Sequence, residues 1–130
     1  MKLGDTFNYT FKVDYKVHKA FLELSNDYNP IHIDDSFAQS KGFKSKIVHG
    51  NVLGGFLSFF IGEGLPNKNV VIQKQNISYH KPFFIGDSIS LNSQLSEVYE
   101  SVSTYIFKYT FKNQNLDLIA KGSIQISLLK

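Results

Sequence analysis

The chain has 130 residues, 42% of them hydrophobic, with 12 phenylalanines and 7 tyrosines, which predicts one compact domain over residues 1–130 with an aromatic core. It contains no cysteine, which excludes a disulfide framework, a thiolate nucleophile and a cysteine metal site. The net charge of +3 comes from scattered lysines without any arginine, which argues against base-specific binding of nucleic acid.

The sequence shows neither a membrane-spanning segment nor a secretion signal. No apolar stretch has the length needed to cross a bilayer, and residues 1–10 lack the apolar run of a signal peptide. We therefore expect a cytoplasmic protein without a membrane partner. The densest group of lysines is Lys41, Lys44 and Lys46, which is either solvated surface or a patch that holds a small phosphorylated ligand.

A strand followed by a helix is predicted at the start of the chain. Residues 6–13 alternate aromatic or aliphatic side chains with polar ones, which is typical of a strand. Asp14 can cap the helix that follows, and this helix should stop between Ser25 and Asp27. Its apolar stripe consists of Val17, Ala20, Phe21 and Leu24.

The segment from Ser25 to Asp34 places a carboxylate and an imidazole on either side of a bend. Asn29 precedes a proline, which disfavours helical backbone at Asn29 and should turn the chain. Asp27 and His32 can then point into one space, as general acid and base catalysis requires. The alternative is structural: Asp27 and Asn29 cap or turn the backbone, and His32 is an ordinary half-buried histidine.

A second, short helix is predicted after this bend. Asp34 or Asp35 can cap its start, and Phe37 and Ala38 are its apolar positions. Gly42 then ends it, because glycine readily adopts the left-handed conformation found just past many helices.

Residues 51–62 predict a helix buried inside the domain. The run is apolar almost all round and nearly uncharged, which is typical of a core helix. Gly54 and Gly55 lie in its interior, where each costs about 1 kcal/mol relative to alanine. We expect either that a ligand or another backbone approaches there, or that the glycines let a strand cross the helix tightly.

The second half of the chain is predicted to be all strand. The four strands cover residues 70–79, 88–99, 102–112 and 116–128, and the last three are joined by short polar turns. Such regular spacing indicates an antiparallel meander. The fold class is therefore α+β, with a run of strands curling around the buried helix.

Three short motifs resemble those of the MaoC-like (R)-specific enoyl-CoA hydratases. They are Asp27-Tyr28-Asn29-Pro30-Ile31-His32, then Ile47-Val48-His49-Gly50, then Lys81-Pro82 with Gly86-Asp87. The resemblance extends over essentially the whole chain, and the motifs occur in the family's order and spacing. It implies a hotdog fold, in which an antiparallel sheet wraps a long central helix.

The resemblance also implies a role for each motif residue. Asp27 and His32 would be the catalytic pair that adds water reversibly to a trans-2-enoyl thioester and gives an (R)-3-hydroxyacyl thioester. Gly50, at the start of the central helix, would offer an N–H group to the thioester oxygen. Asn29 would support the loop or the site, and Ser58 would hydrogen-bond the catalytic aspartate.

Partners are implied in the same way. The substrate would be an acyl-CoA or acyl-carrier-protein thioester, with CoA as part of the substrate, no separate cofactor and no metal site. The chain would form a homodimer or a higher even oligomer. The sequence departs from the family pattern at Asn26, Asn51 and Gly55, and the last two changes leave the preferred acyl length open.

Other functions compete with a hydratase. A hotdog thioesterase would hydrolyse the same thioesters, but the central helix lacks the carboxylate that such enzymes usually carry, and Glu63 lies just past it. A non-catalytic acyl-binding module would keep the fold without turnover, which the intact Asp27 and His32 argue against. A dehydratase of the same chemistry that acts on carrier-protein thioesters stays open.

Overall fold

The computed structural model describes residues 1–130. The strands are β1 (Thr6–Lys12), β2 (Val70–Tyr79), β3 (Ser88–Tyr99), β4 (Thr104–Lys112) and β5 (Leu118–Leu128). The helices are α1 (Tyr15–Ser25), α2 (Pro30–Ile33), α3 (Asp35–Ser40) and α4 (Val52–Gly62). The strands form one antiparallel sheet in the order β1-β3-β4-β5-β2, so β1 and β2 are its edges. No helix is long and apolar enough to span a bilayer.

The sheet has an apolar inner face and a polar outer face, because side chains alternate along each strand. In β3, Ile89, Leu91 and Leu95 are fully buried, while Asn92 and Gln94 between them are exposed. The same alternation in β4 and β5 places their apolar side chains in one continuous core. The inner face is therefore the one that packs against the helices.

Helix α4 packs on this inner face. The Phe60 ring lies edge-on to Phe107 of β4, with 5.3 Å between ring centroids, in a geometry that favours aromatic pairs. The prediction of a helix buried all round was only partly right, since Ser58 is exposed and Phe59 is 43% exposed in the single chain. The central helix thus keeps one open face.

The glycines of α4 do not meet a close neighbour within the chain. A Cβ atom placed on Gly54 or Gly55 would have nothing within 4 Å. No strand or other backbone therefore approaches these glycines closely within the chain, because this part of α4 lies towards its open face.

The helices agree closely with those predicted from the sequence, with one additional helical turn. Asp14 caps α1 by accepting a hydrogen bond from the Val17 amide at 2.9 Å, and the helix ends at Ser25 as predicted. The bend at Asn29 continues into the extra helical turn α2, which was not predicted. Proline is compatible with the first turn of a helix, so Pro30 starts α2 while Asn29 remains outside it.

Two strands begin later than predicted for a backbone reason. A 3₁₀ turn over Glu100–Val102 precedes β4, and Ser103 after it has a φ of +50°. Leu116 has a φ of +63° ahead of β5. Left-handed backbone cannot pair in a ladder, so both strands start two residues further along than the apolar pattern suggested.

Candidate active site

Asp27, His32 and His49 form one cluster. The Asp27 carboxylate Oδ2 lies 3.8 Å from His32 Nε2 and also 3.8 Å from His49 Nε2. The two imidazole rings stack with 3.8 Å between centroids and 22° between planes. The predicted pair is thus brought together, and His49, which belongs to the second sequence motif, lies against both residues.

Backbone carbonyls fix the tautomers of both histidines. His32 Nδ1 lies 2.9 Å from the Ile47 carbonyl oxygen, which can only accept, so Nδ1 carries a proton. His49 Nε2 donates to the Asp27 carbonyl oxygen at 2.9 Å in the same way. In its neutral form His32 therefore presents a bare Nε2 to the Asp27 carboxylate, and that nitrogen can hold or release a proton.

Helix α1 supports this cluster through His18. His18 is buried, and its Nε2 donates to the His32 carbonyl oxygen at 2.9 Å. Its Nδ1 is buried without a partner. Burial lowers the pKa of His18 most, and the neighbouring basic groups His49, Lys46 and His32 lower it further, against the opposing effect of the bond to the His32 carbonyl. His18 is thus held neutral as a donor that ties α1 to α2.

Short-range hydrogen bonds aim the Asp27 side chain. Asn26 ends α1 in a left-handed conformation with a φ of +54°, which asparagine tolerates better than most residues. The Asp27 amide then donates to Ser25 Oγ at 3.1 Å, and the Asn29 amide donates to Asp27 Oδ1 at 3.2 Å. Because Oδ1 is held by the Asn29 amide, Oδ2 is the oxygen that faces the histidines.

Asn29 also shapes the turn that carries His32. Its side-chain Oδ1 accepts from the Ile31 amide at 3.0 Å and caps α2. Its backbone carbonyl accepts from the His32 amide at 2.8 Å. The structure thus gives Asn29 a supporting position between Asp27 and His32.

The cluster opens into a cleft of about 480 Å³. Its lining comes from α1, α2 and the loop between them, from the segment between α3 and α4, and from the end of β2 and the residues after it. The lining residues are Phe21, Asp27, His32, Phe43, Ile47, Val48, His49, Gly50, Asn51, Tyr79, His80, Lys81, Pro82 and Phe83. Its size is in the range of small-molecule sites in proteins. Residues from all three sequence motifs therefore meet at one cleft.

Gly50 lies in this cleft just ahead of α4. Its amide N–H forms no hydrogen bond within the chain, as is usual for the first amides at a helix start. A Cβ atom at this position would come 2.7 Å from Cε1 of Tyr79, whose ring covers the glycine. The close packing of Tyr79 thus explains why glycine is needed here, and the unpaired donor belongs to the same cleft as Asp27 and His32.

Ser58 does not join the site in the single chain. It is exposed on α4, outside the cleft lining, and makes no hydrogen bond to Asp27. The family resemblance gave its position along the helix, but the face it occupies depends on how α4 packs.

The cluster also has the composition of a metal site, although the sequence predicted none. One ligand atom each from Asp27, His32 and His49 lies within 4.8 Å of the others. His49 Nε2, however, is protonated and bonded to the Asp27 carbonyl oxygen. It would have to lose both the proton and this bond to bind a cation, so the arrangement suits proton transfer better than metal binding.

Comparisons with known proteins identify the family to which the chain is similar. Residues 6–113 match the family model described as MaoC like domain. The chain is 36% identical over 81 residues to the (R)-specific enoyl-CoA hydratase of Aeromonas caviae, a match that covers 62% of this chain and 60% of that protein. It is 30% identical over 125 residues to the mitochondrial 3-hydroxyacyl-[acyl-carrier-protein] dehydratase of Arabidopsis thaliana, covering 94% of this chain and 74% of that one.

Solved structures give the same fold. The (R)-hydratase from Aeromonas caviae superimposes with a TM-score of 0.91 at 26% identity, over 98% of this chain and 97% of that chain. An R-hydratase from Pseudomonas aeruginosa has a TM-score of 0.91 at 23% identity, over 100% of this chain and 83% of that chain. The predicted α+β hotdog fold is thereby confirmed.

Proposed function

The chain belongs to the MaoC-like hydratase and dehydratase family, and we propose that it adds water reversibly to trans-2-enoyl thioesters to give (R)-3-hydroxyacyl thioesters. The observation that carries this proposal is the 3.8 Å separation of Asp27 Oδ2 and His32 Nε2 in one cleft. This distance is shorter than two hydrogen bonds end to end, so a single water molecule can contact both atoms at once.

In the hydration direction, Asp27 accepts a proton from the water molecule while the water oxygen bonds to the β carbon. The electron pair of the double bond moves to the α carbon and thioester oxygen, and His32 donates a proton to the α carbon. Because His32 Nδ1 is bonded to the Ile47 carbonyl, the donated proton must come from Nε2. Hydration therefore starts with the pair's proton on His32 and ends with it on Asp27.

The Gly50 amide can stabilise the negative charge that develops on the thioester oxygen. Negative charge grows on the thioester oxygen as the α carbon becomes nucleophilic, and an unpaired N–H at a helix start can stabilise that charge. Since Gly50 lines the same cleft as the catalytic pair, we assign it this role. One such donor contributes roughly 3 kcal/mol to transition-state stabilisation in enzymes where it has been removed.

The carrier that we propose is CoA, with an acyl carrier protein as the alternative. The Aeromonas caviae relative is named for CoA and the Arabidopsis thaliana relative for a carrier protein. Lys81 lines the cleft with its ammonium 3.5 Å from Asp117 Oδ1, and the Lys44 ammonium lies 4.4 Å from the ring centroid of Phe84, which follows the cleft residue Phe83. These lysines can bind the CoA phosphates as point charges.

We propose that the reaction needs neither metal nor a separate cofactor. The protons that move can be held by Asp27 and His32 alone, and His49 Nε2 is engaged with the Asp27 carbonyl. Activity that survives prolonged treatment with a chelator supports this view. Activity that is lost on chelation and restored by one divalent cation contradicts it.

We further propose a homodimer or a higher even oligomer, in the cytoplasm. The edge strand β2 exposes Val71 by 45% and Ile72 by 36%, and α4 exposes Phe59. An apolar edge strand invites pairing with another chain unless it is covered, and a second copy would cover it. Sedimentation at micromolar protein tests this, because a monomer alone would contradict it.

The proposed activity is tested by the loss of conjugated-thioester absorbance of crotonyl-CoA, with free thiol assayed in parallel. Wild type should consume crotonyl-CoA without releasing thiol, while Asp27→Asn and His32→Ala should be nearly inactive. Thiol release would instead indicate a thioesterase. If acyl-CoA binds but neither CoA nor carrier-protein thioesters react, the chain is a non-catalytic binding module.

A further inference from the structure

A second, apolar cavity adjoins the catalytic cleft. It occupies about 390 Å³ between α1 and α4, and Phe21 and Asn51 line both spaces. Apart from Asn51, its lining is apolar side chains and one glycine, and includes Ala20 and Phe56. An alkyl chain that leaves the cleft past Asn51 would therefore enter surroundings that favour it.

Asn51 is an unusual residue at this junction. It precedes α4 but makes no capping hydrogen bond with its side chain. Instead its Oδ1 accepts a hydrogen bond from the Tyr79 hydroxyl at 3.1 Å. The Asn51 side chain thus spans from the helix start to the end of β2 and stands between the cleft and the apolar cavity.

Burying this pair against an alkyl chain is unfavourable. The Asn51 amide nitrogen has no hydrogen-bond partner within the chain, and polar groups that lose water without a partner destabilise a complex. The Tyr79 ring also packs over Gly50, so moving it aside gives up this contact. A short acyl group avoids both costs because it ends before Asn51.

We propose that Asn51 and Tyr79 restrict the enzyme to short acyl groups, by closing the way from the catalytic cleft to the apolar cavity between α1 and α4. This inference rests on the proposed function for its substrate class. The cavity receives the tail of a longer acyl group only when the bond between Asn51 and Tyr79 is broken or Asn51 is replaced by an apolar residue.

Equilibrium binding of butyryl-CoA and octanoyl-CoA, measured by calorimetry, tests the proposal without requiring turnover. Each buried methylene strengthens binding about fourfold. Wild type should therefore bind octanoyl-CoA no more than a few times more tightly than butyryl-CoA. Asn51→Leu, which keeps the side-chain shape, should raise the ratio of the two affinities by about tenfold. Tyr79→Phe should shift it in the same direction by less, because Asn51 remains polar.

Two further variants test whether the acyl tail occupies the apolar cavity between α1 and α4. Ala20→Phe fills the apolar cavity from the exposed side of α1, so adding it to Asn51→Leu should return the ratio to the wild-type value. Asn92→Leu, on the outer face of the sheet, is the matched control and should leave the ratio unchanged. An unchanged ratio in both Asn51→Leu and Tyr79→Phe overturns the proposal, as does failure of Ala20→Phe to reverse the shift.

The outcomes also separate this proposal from the proposed function. If neither acyl-CoA binds to any variant, the affinity ratio is measured with butyryl- and octanoyl-carrier-protein thioesters, and an unchanged ratio there refutes the acyl cavity. If the affinity ratio shifts as expected but wild type does not hydrate crotonyl-CoA, the cavity stands and the hydratase proposal fails. A wild-type protein that already binds octanoyl-CoA about a hundredfold more tightly than butyryl-CoA would show that Asn51 does not bar the tail.

Discussion

His49 contacts Asp27 through one nitrogen: Nε2 donates to the Asp27 backbone carbonyl at 2.9 Å and lies 3.8 Å from its carboxylate Oδ2. The ring also stacks on His32. His49 therefore contacts both proposed proton carriers, and its Nε2 hydrogen is engaged with the Asp27 carbonyl.

Replacement of His49 should reduce kcat more than it changes KM. His49→Phe keeps an aromatic ring beside His32 but removes the donor to Asp27, and a displacement of about 1 Å at such a site can cost about a hundredfold in rate. His49→Gln retains an N–H donor and should restore part of the loss. Steady-state kinetics on crotonyl-CoA measure both, and equal kcat in His49→Phe and wild type would show that the contact has no positioning role.

Asn29→Ala should lower both stability and activity. The change removes the cap of α2, which typically costs about 1 kcal/mol of unfolding free energy, and loosens the turn that carries His32. Asn67→Ala is the matched control, because Asn67 Oδ1 also accepts a hydrogen bond from the amide two residues on, Asn69, at 2.8 Å, but in a loop away from the cleft. Urea unfolding should show similar losses for the two variants, while only Asn29→Ala loses kcat. A kcat that falls equally in both variants would contradict a specific role for Asn29.

Gly50→Ala should be nearly inactive. Its Cβ would lie 2.7 Å from Cε1 of Tyr79, so the ring or the start of α4 must shift and the amide donor moves with it. Loss of one such donor lowers rates by about a hundredfold or more. Gly54→Ala is the control within α4, where the new methyl group meets nothing within 4 Å and should raise the unfolding free energy by up to about 1 kcal/mol. Crotonyl-CoA turnover near the wild-type rate in Gly50→Ala would rule out the oxyanion role.

The sequence predicted those features that depend on local or periodic signals. Asp14 capped a helix because its carboxylate reaches an amide three residues on, and the alternation along β3 set its inner face. Asp27 and His32 could be paired because only a short bend separates them. Each of these features involves residues close in sequence or repeated at a fixed spacing.

The parts that the sequence missed depend on tertiary packing. His49 lies 22 residues from Asp27, and its motif could equally start a helix, so only the folded chain shows which group it contacts. The open face of α4 was likewise hidden, because an apolar run does not reveal which side the sheet covers. A signal for His49 did exist, since it lies in the second of the three motifs.

Stability should fall in mild acid because of His18. Burial is the largest cause that lowers the pKa of His18 below its ordinary value of 6.5 in the folded state. The unfolded chain therefore takes up a proton at His18 more readily than the folded one, so the folded state is favoured in full above about pH 6.5 and progressively less below it. The urea concentration at the unfolding midpoint of wild type should accordingly decrease as the pH is lowered from about 7.5 to about 5.

His18→Gln can still donate to the His32 carbonyl but cannot titrate, so its midpoint should decrease less over the same range. His80→Gln is the control, because it removes an exposed histidine from the rim of the cleft and should retain the wild-type decrease. An equal decrease in wild type and His18→Gln would mean that other groups cause the acid sensitivity.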